Sequence, residues 1–109
     1  LRMREECVKT IWYRIFMAGD TATAKQVCRK YCRVGLCVTV EAADYIYTGG
    51  AEAGFIVGLI NYPRFPSDDD TIKSHAFALA RELANECCQH SFTVMNADDT
   101  WWYSSRPGA

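Results

Sequence analysis

No run of about eighteen apolar residues occurs in the 109 residues, so no membrane-spanning helix is expected. A basic excess is missing as well. Twelve Lys and Arg stand against thirteen Asp and Glu, a net charge of −1. That balance argues against a dedicated duplex-DNA or RNA binder and against a polybasic membrane-surface protein, since both need clustered positive charge. The opening residues, LRMREECVKT, carry charges and no apolar stretch leading to a small-residue cleavage site, so no signal peptide is expected. Gly49-Gly50 lacks the rest of any phosphate loop or dinucleotide fingerprint, and no cofactor is expected. Proline is scarce, at three residues, and two of them, Pro63 and Pro66, punctuate the most apolar part of the chain.

What is present points to one globular domain. Half the residues are apolar and 13% are aromatic, which excludes a disordered chain. The stretch from Glu52 to Asp70, EAGFIVGLINYPRFPSDDD, organises the rest. Its run from Ala53 to Ile60 is apolar on both sides, as an interior strand is.

Around that strand the remaining elements follow in order. Residues 8–18, VKTIWYRIFMA, are β-branched and aromatic and predict a strand. Asp20 or Thr21 caps a helix with Ala24, Val27, Cys28 and Tyr31 on one face, and Gly35 stops it. Residues 36–47 predict a second strand with a bulge or bend at Ala42-Ala43-Asp44. Thr48-Gly49-Gly50 turns the chain into the strand 53–62. Ser67 and Asp70 match a capping box, and Ile72, Ala76, Leu79, Leu83 and Cys87 line one helix face. Residues 91–96 and 101–105 predict two last strands.

The order strand-helix-strand, repeated, with a fifth strand at the C-terminus, resembles the ferredoxin-like βαββαβ sandwich of the α+β class. That resemblance implies two helices on one face of an antiparallel sheet of order 4-1-3-2; another α+β arrangement of the same elements is the alternative. Separately, YIYTGG (45–50) and GLINYPRFP (58–66) resemble segments of small phage and prophage proteins. This resemblance carries no catalytic residue over. It implies a bacterial cytoplasm during infection and interference with a host system.

Six cysteines, at 7, 28, 32, 37, 87 and 88, are many for this length. Without an export signal they read as reduced thiols in a cytosol, mostly small buried hydrophobes. Cys28 and Cys32 sit one helical turn apart, but their completion by Cys87 and His90 would lie at the far ends of the helices, too distant for one zinc ion. The trio Cys7, Cys32 and Cys37 shares an end and suits a disulfide or a three-ligand site, at no standard zinc spacing. Cys88 and His90 lie at a helix exit, where the dipole disfavours a thiolate, so a cysteine nucleophile is not expected. Asp68, Asp69 and Asp70 read as helix capping before cation binding.

The uncovered sheet face is the candidate functional surface. Arg14 marks it, which puts Trp12 and Phe16 there too, with Ile56, Ile60, Tyr62 and one of Trp101 and Trp102, taken as Trp101, expected beside them. Aromatics and arginine favour interface centres. Three functions compete. The first is an interaction module that self-associates, or docks another protein, through Trp12, Arg14, Phe16, Tyr62 and Trp101. The second is a small-ligand-binding regulatory module, with its pocket between the Gly49-Gly50 hairpin and the Asp20 loop. The third, which no residue constellation supports and which is less expected than the first two, is an enzyme with an open-face pocket using Tyr45, Tyr62 or His90. Single-strand nucleic-acid binding by the face aromatics is likewise less expected, given few surrounding lysines.

Overall fold

Seven residues of the first strand define the two sides of the sheet. β1 (Trp12–Ala18) buries Tyr13, Ile15 and Met17 and turns Trp12, Arg14 and Phe16 the other way, because successive side chains of a strand point to opposite faces. The computed structural model describes residues 1–108. Beyond β1 it contains α1 (Thr21–Tyr31), a short 3-10 turn (Cys32–Val34), β2 (Thr39–Tyr47), β3 (Gly50–Ile60), α2 (Asp69–Glu86), β4 (Ser91–Met95) and β5 (Thr100–Ser104). The strands form one antiparallel sheet in the order β2-β3-β1-β4-β5. This is the ferredoxin-like α+β arrangement, with a fifth strand added outside β4.

The core lies between the helices and one sheet face. Ala24, Val27 and Cys28 of α1 and Ile72, Ala76, Leu79 and Leu83 of α2 meet Tyr13, Ile15, Phe55, Val57, Leu59 and Val94. Burying each large aliphatic side chain stabilises the fold by about 1.5–3 kcal/mol. Both helix faces are those that the 3.6-residue periodicity of the sequence predicts.

Several local expectations are corrected. β1 begins at Trp12, not at residue 8, because Asn61 takes over the preceding segment. Its backbone N–H donates to the Ile11 carbonyl and its side-chain Nδ2 to the Lys9 carbonyl, each at 2.9 Å. No bulge interrupts β2, since Ala42, Ala43 and Asp44 pair in unbroken register with Phe55, Gly54 and Ala53. The small residues there leave room for the Tyr45 ring, which leans over Gly54. Asp68, not Ser67, caps α2 and accepts from the Thr71 N–H at 2.8 Å. Ser67 instead donates its backbone N–H to Asn61 Oδ1, which fixes the proline turn one residue earlier. All six cysteines are unpaired: Cys28 is buried, Cys32 and Cys87 are half-buried, and Cys7, Cys37 and Cys88 are exposed.

Candidate functional site: a slot on the open sheet face

Both helices pack against one side, so the other side of the sheet is built from the alternate residues. Across its centre Trp12 faces Ile60, Arg14 faces Gly58, Phe16 faces Ile56 and Ala18 faces Gly54. Arg14 folds its guanidinium over the Trp12 ring, 4.9 Å from the centroid, a cation–π contact that flattens this part of the face. Trp12 and Phe16 are half-buried and Arg14 is exposed. The structure thus brings Trp12, Arg14 and Phe16 together on the uncovered side.

Two other predicted site residues lie elsewhere. Trp101 belongs to the helix side, where it stacks on Tyr13 at 6.5 Å and meets the edge of Phe77 at 5.3 Å. The register explains this: Trp101 pairs with buried Val94, so its neighbour Trp102 takes the open face opposite Thr93. Tyr62 lies past the end of β3. There its ring stacks on Phe65 at 5.1 Å and its hydroxyl contacts Cys37 Sγ at 3.4 Å.

One row of the open face forms a slot. Phe16 pairs with Thr93, and Thr93 pairs with Trp102, so two rings flank one short hydroxyl side chain. With strands about 4.8 Å apart, the two ring-bearing backbones stand roughly 9–10 Å from one another. Around this row is a hollow of about 250 Å³, whose rim also carries Tyr45, Glu52, His90 and Arg106. Neither Gly49-Gly50 nor Asp20 lines it, so it is not the pocket between the hairpin and the Asp20 loop that the small-ligand reading expects. Tyr45 and His90 thus share one site, while Tyr62 is apart from it.

Each rim residue has a local cause for its position. Tyr45 donates to the Phe55 carbonyl at 2.6 Å and accepts from the Met17 N–H at 3.2 Å, which pins its ring across Gly54. Burial pushes its phenol above the ordinary value, with the Met17 N–H opposing, so Tyr45 stays protonated at neutral pH. Glu52 is the direct cross-strand partner of Tyr45. His90 follows an unusual helix exit. Cys88 adopts a left-handed conformation at φ 55°, and Gln89 N–H bonds back to the Ala84 carbonyl at 2.8 Å. This is a Schellman closure with cysteine where glycine is usual. Ser105 then ties β5 to the same place, donating its N–H to the His90 carbonyl at 2.8 Å.

Sequence reasoning missed Glu52, Thr93 and Arg106, and between the two adjacent tryptophans it chose Trp101 over Trp102. Strand parity offers a signal here: the alternation of buried Phe92 and Val94 puts Thr93, and hence its partner Trp102, on the side of Arg14. Glu52 and Arg106 come from a hairpin and a tail whose convergence has no sequence period.

No family model matches the sequence, and no curated protein does. The fold is similar to a phage SAM lyase in its apo state, with a TM-score of 0.74 and 18% identity over 96% of this chain and 98% of that one. It is also similar to a phage SAM lyase in complex with S-methyl-5'-thioadenosine, with a TM-score of 0.64 and 15% identity over 100% of both chains. At these identities the likeness is one of fold.

Proposed function

We propose that the protein binds S-adenosylmethionine in the open-face slot and cleaves it to S-methyl-5'-thioadenosine. The row Phe16–Thr93–Trp102 carries this reading. A flat purine between two rings needs about 7 Å, twice the usual carbon–carbon contact, and the slot offers roughly 9–10 Å at its backbones. The likeness to a phage SAM lyase described with S-methyl-5'-thioadenosine supports the same ligand class. Glu52 and Arg106 on the rim supply the opposite charges that the amino-acid end of the substrate requires.

A lyase adds no water, so the broken bond is settled within the substrate. The bond between the sulfonium sulfur and the γ-carbon of the amino-acid arm breaks, and sulfur keeps both electrons as a neutral thioether. A carboxylate oxygen of the same arm closes on the γ-carbon as a five-membered lactone. No proton is transferred, and one positive and one negative charge vanish together. Charge neutralisation of this kind is helped by apolar surroundings, and the rings of Phe16 and Trp102 are apolar groups of the slot. Their ring faces also suit the sulfonium before it reacts. Aligning the carboxylate with the γ-carbon is the entropic share of the work. In an infected bacterium such an activity removes the methyl donor of the host.

Chromatography of S-adenosylmethionine incubated with the protein tests this. Release of the thioether nucleoside, reduced at least tenfold by Phe16→Ala, supports it. No release, together with no calorimetric binding of S-methyl-5'-thioadenosine, overturns it.

A second reading concerns self-association through the same face. Ile60 is 48% exposed and Trp102 60% exposed, beside half-buried Trp12 and Phe16. An apolar patch of this kind is rarely left to water. Light scattering that gives a multiple of the 12.3 kDa chain mass, falling to one chain mass in Trp12→Asp, supports a homo-oligomer. A monomer at all concentrations counts against it.

A further inference from the structure

The chain is nearly neutral overall, yet its charges are unevenly placed on the helix side. α2 and β5 enclose a furrow made of two adjoining hollows. The first, about 440 Å³, is lined by Lys73, Ser74, Phe77, Arg81, Trp101 and Tyr103. The second, about 320 Å³, shares Arg81 and Tyr103 and continues past Asn85 to His90. No acidic residue lines either hollow among the described residues. The cleft between the helices, by contrast, holds Glu82 and Glu86, and the hollow at the foot of the sheet holds Asp68, Asp69 and Asp98.

The two cations of the furrow lack carboxylate partners. The one ion pair among the described residues is Arg4 with Glu6. Lys73 rests over the Trp101 ring at 4.8 Å and Arg81 over Tyr103 at 5.8 Å. Phe77 braces both rings from below, at 5.3 and 5.5 Å. Eight residues separate the cations along α2, about 12 Å at ~1.5 Å per residue. That span is too long for one phosphate and fits successive anionic groups on one extended ligand.

We propose that this furrow binds a short single strand of nucleic acid. Backbone phosphates engage Lys73 and Arg81, and the rings that those cations now cover become platforms for stacked bases. A positive track beside aromatic rings is the general form of single-strand recognition, and it tolerates any base because every base has a flat face. An acidic peptide would satisfy the cations and leave the rings unused. The furrow's two rings lie on the opposite side of β5 from the open-face slot, since β5 turns Trp101 and Tyr103 to the helix side and Trp102 to the other, and the two hollows share only a border at Gln89, His90 and Phe92.

Fluorescence anisotropy of a labelled eight-nucleotide oligothymidylate, titrated with the protein over a salt series, is the test. Two phosphate contacts predict a slope of log K against log salt of about −1.4, since each contributes roughly −0.7 on single strands. Lys73→Gln and Arg81→Gln are each expected to halve that slope and weaken binding at least fivefold. Lys73→Arg, which keeps the charge, retains the affinity, and this separates loss of contact from loss of folding. Several results would overturn the proposal. These are no binding at low salt, a slope unmoved by either Gln variant, equal affinity for a poly-glutamate peptide, and equal affinity for thymidine monophosphate.

Discussion

The phenol of Tyr45 donates its proton to the carbonyl of Phe55 at 2.6 Å, reaching over Gly54 from the neighbouring strand to do so. It also accepts from the Met17 N–H, so one side chain of β2 bridges the seam between β3 and β1. The seam forms one wall of the slot, and the ring that bridges it is part of the rim. Sheet integrity and site shape are thereby coupled through one hydroxyl.

Tyr45→Phe removes that hydroxyl and keeps the ring. It leaves the Met17 N–H and the Phe55 carbonyl without their partner, at a cost of about 1–3 kcal/mol for a buried polar group left unpaired. Thermal unfolding is expected several degrees lower. If the seam closes to pair the two groups directly, the stability loss shrinks, and a changed affinity for S-methyl-5'-thioadenosine reports the moved wall.

Gly54 and Gly58 make a comparison within one strand. A Cβ at Gly54 would run into the Met17 carbonyl oxygen and the Tyr45 ring, and neither can move without opening the seam. A Cβ at Gly58 would meet Thr39 Oγ1 at 2.6 Å, the end of a side chain that can rotate away. Gly54→Ala is therefore expected to destabilise by about 1–3 kcal/mol or more, as overpacking does, and Gly58→Ala by clearly less. Chemical denaturation of the two variants side by side decides it, and equal losses would contradict this account of the seam.

Cys88 pays a local conformational cost to turn the chain toward His90. A left-handed residue with a side chain is disfavoured by roughly 1–2 kcal/mol relative to glycine. Cys88→Gly is expected to raise the melting temperature by a few degrees while His90 keeps its place. A lower melting temperature would mean that the Cys88 side chain makes a contact worth more than the strain.

Alkaline pH should weaken the fold through Cys28. Burial pushes this thiol from 9.0 up to about 12 in the folded protein. The folded state therefore holds its proton where the unfolded chain releases it. The contribution is fully present below pH 9 and is lost as pH rises from about 9 toward about 12. The limiting slope for one such group is about 1.4 kcal/mol per pH unit. Denaturation midpoints measured between pH 8 and pH 10.5 are expected to fall, and less steeply in Cys28→Ala. Alkylation at pH 8 should modify exposed Cys7, Cys37 and Cys88 well before Cys28.

Much of the architecture was legible because it rests on periodicity. The 3-4 spacing of Ile72, Ala76, Leu79 and Leu83 chooses one helix face, and the alternation in β1 chooses the side of Trp12, Arg14 and Phe16. The parity of β5 was not legible. Trp101 and Trp102 are adjacent and chemically alike, so which one faces the helices depends on how the turn at Asn96–Asp99 sets the register. There Asn96 Oδ1 accepts the N–H groups of Asp98 and Asp99 at 2.9 and 2.7 Å. The slot was not legible. Its floor and flanks follow from strand pairing across β1, β4 and β5, which no single segment encodes. The break at the start of β1 depended on Asn61, a long-range partner that local β-propensity ignores.

Product analysis by mass spectrometry tests the central claim most directly. The protein and its Trp102→Ala variant are each incubated with excess S-adenosylmethionine, and the nucleosides are counted per chain. The account predicts many equivalents of S-methyl-5'-thioadenosine from the intact slot and at most a tenth of that rate once Trp102 is truncated. Substrate that survives the intact protein at its background rate, or equal turnover by a correctly folded variant, would contradict it.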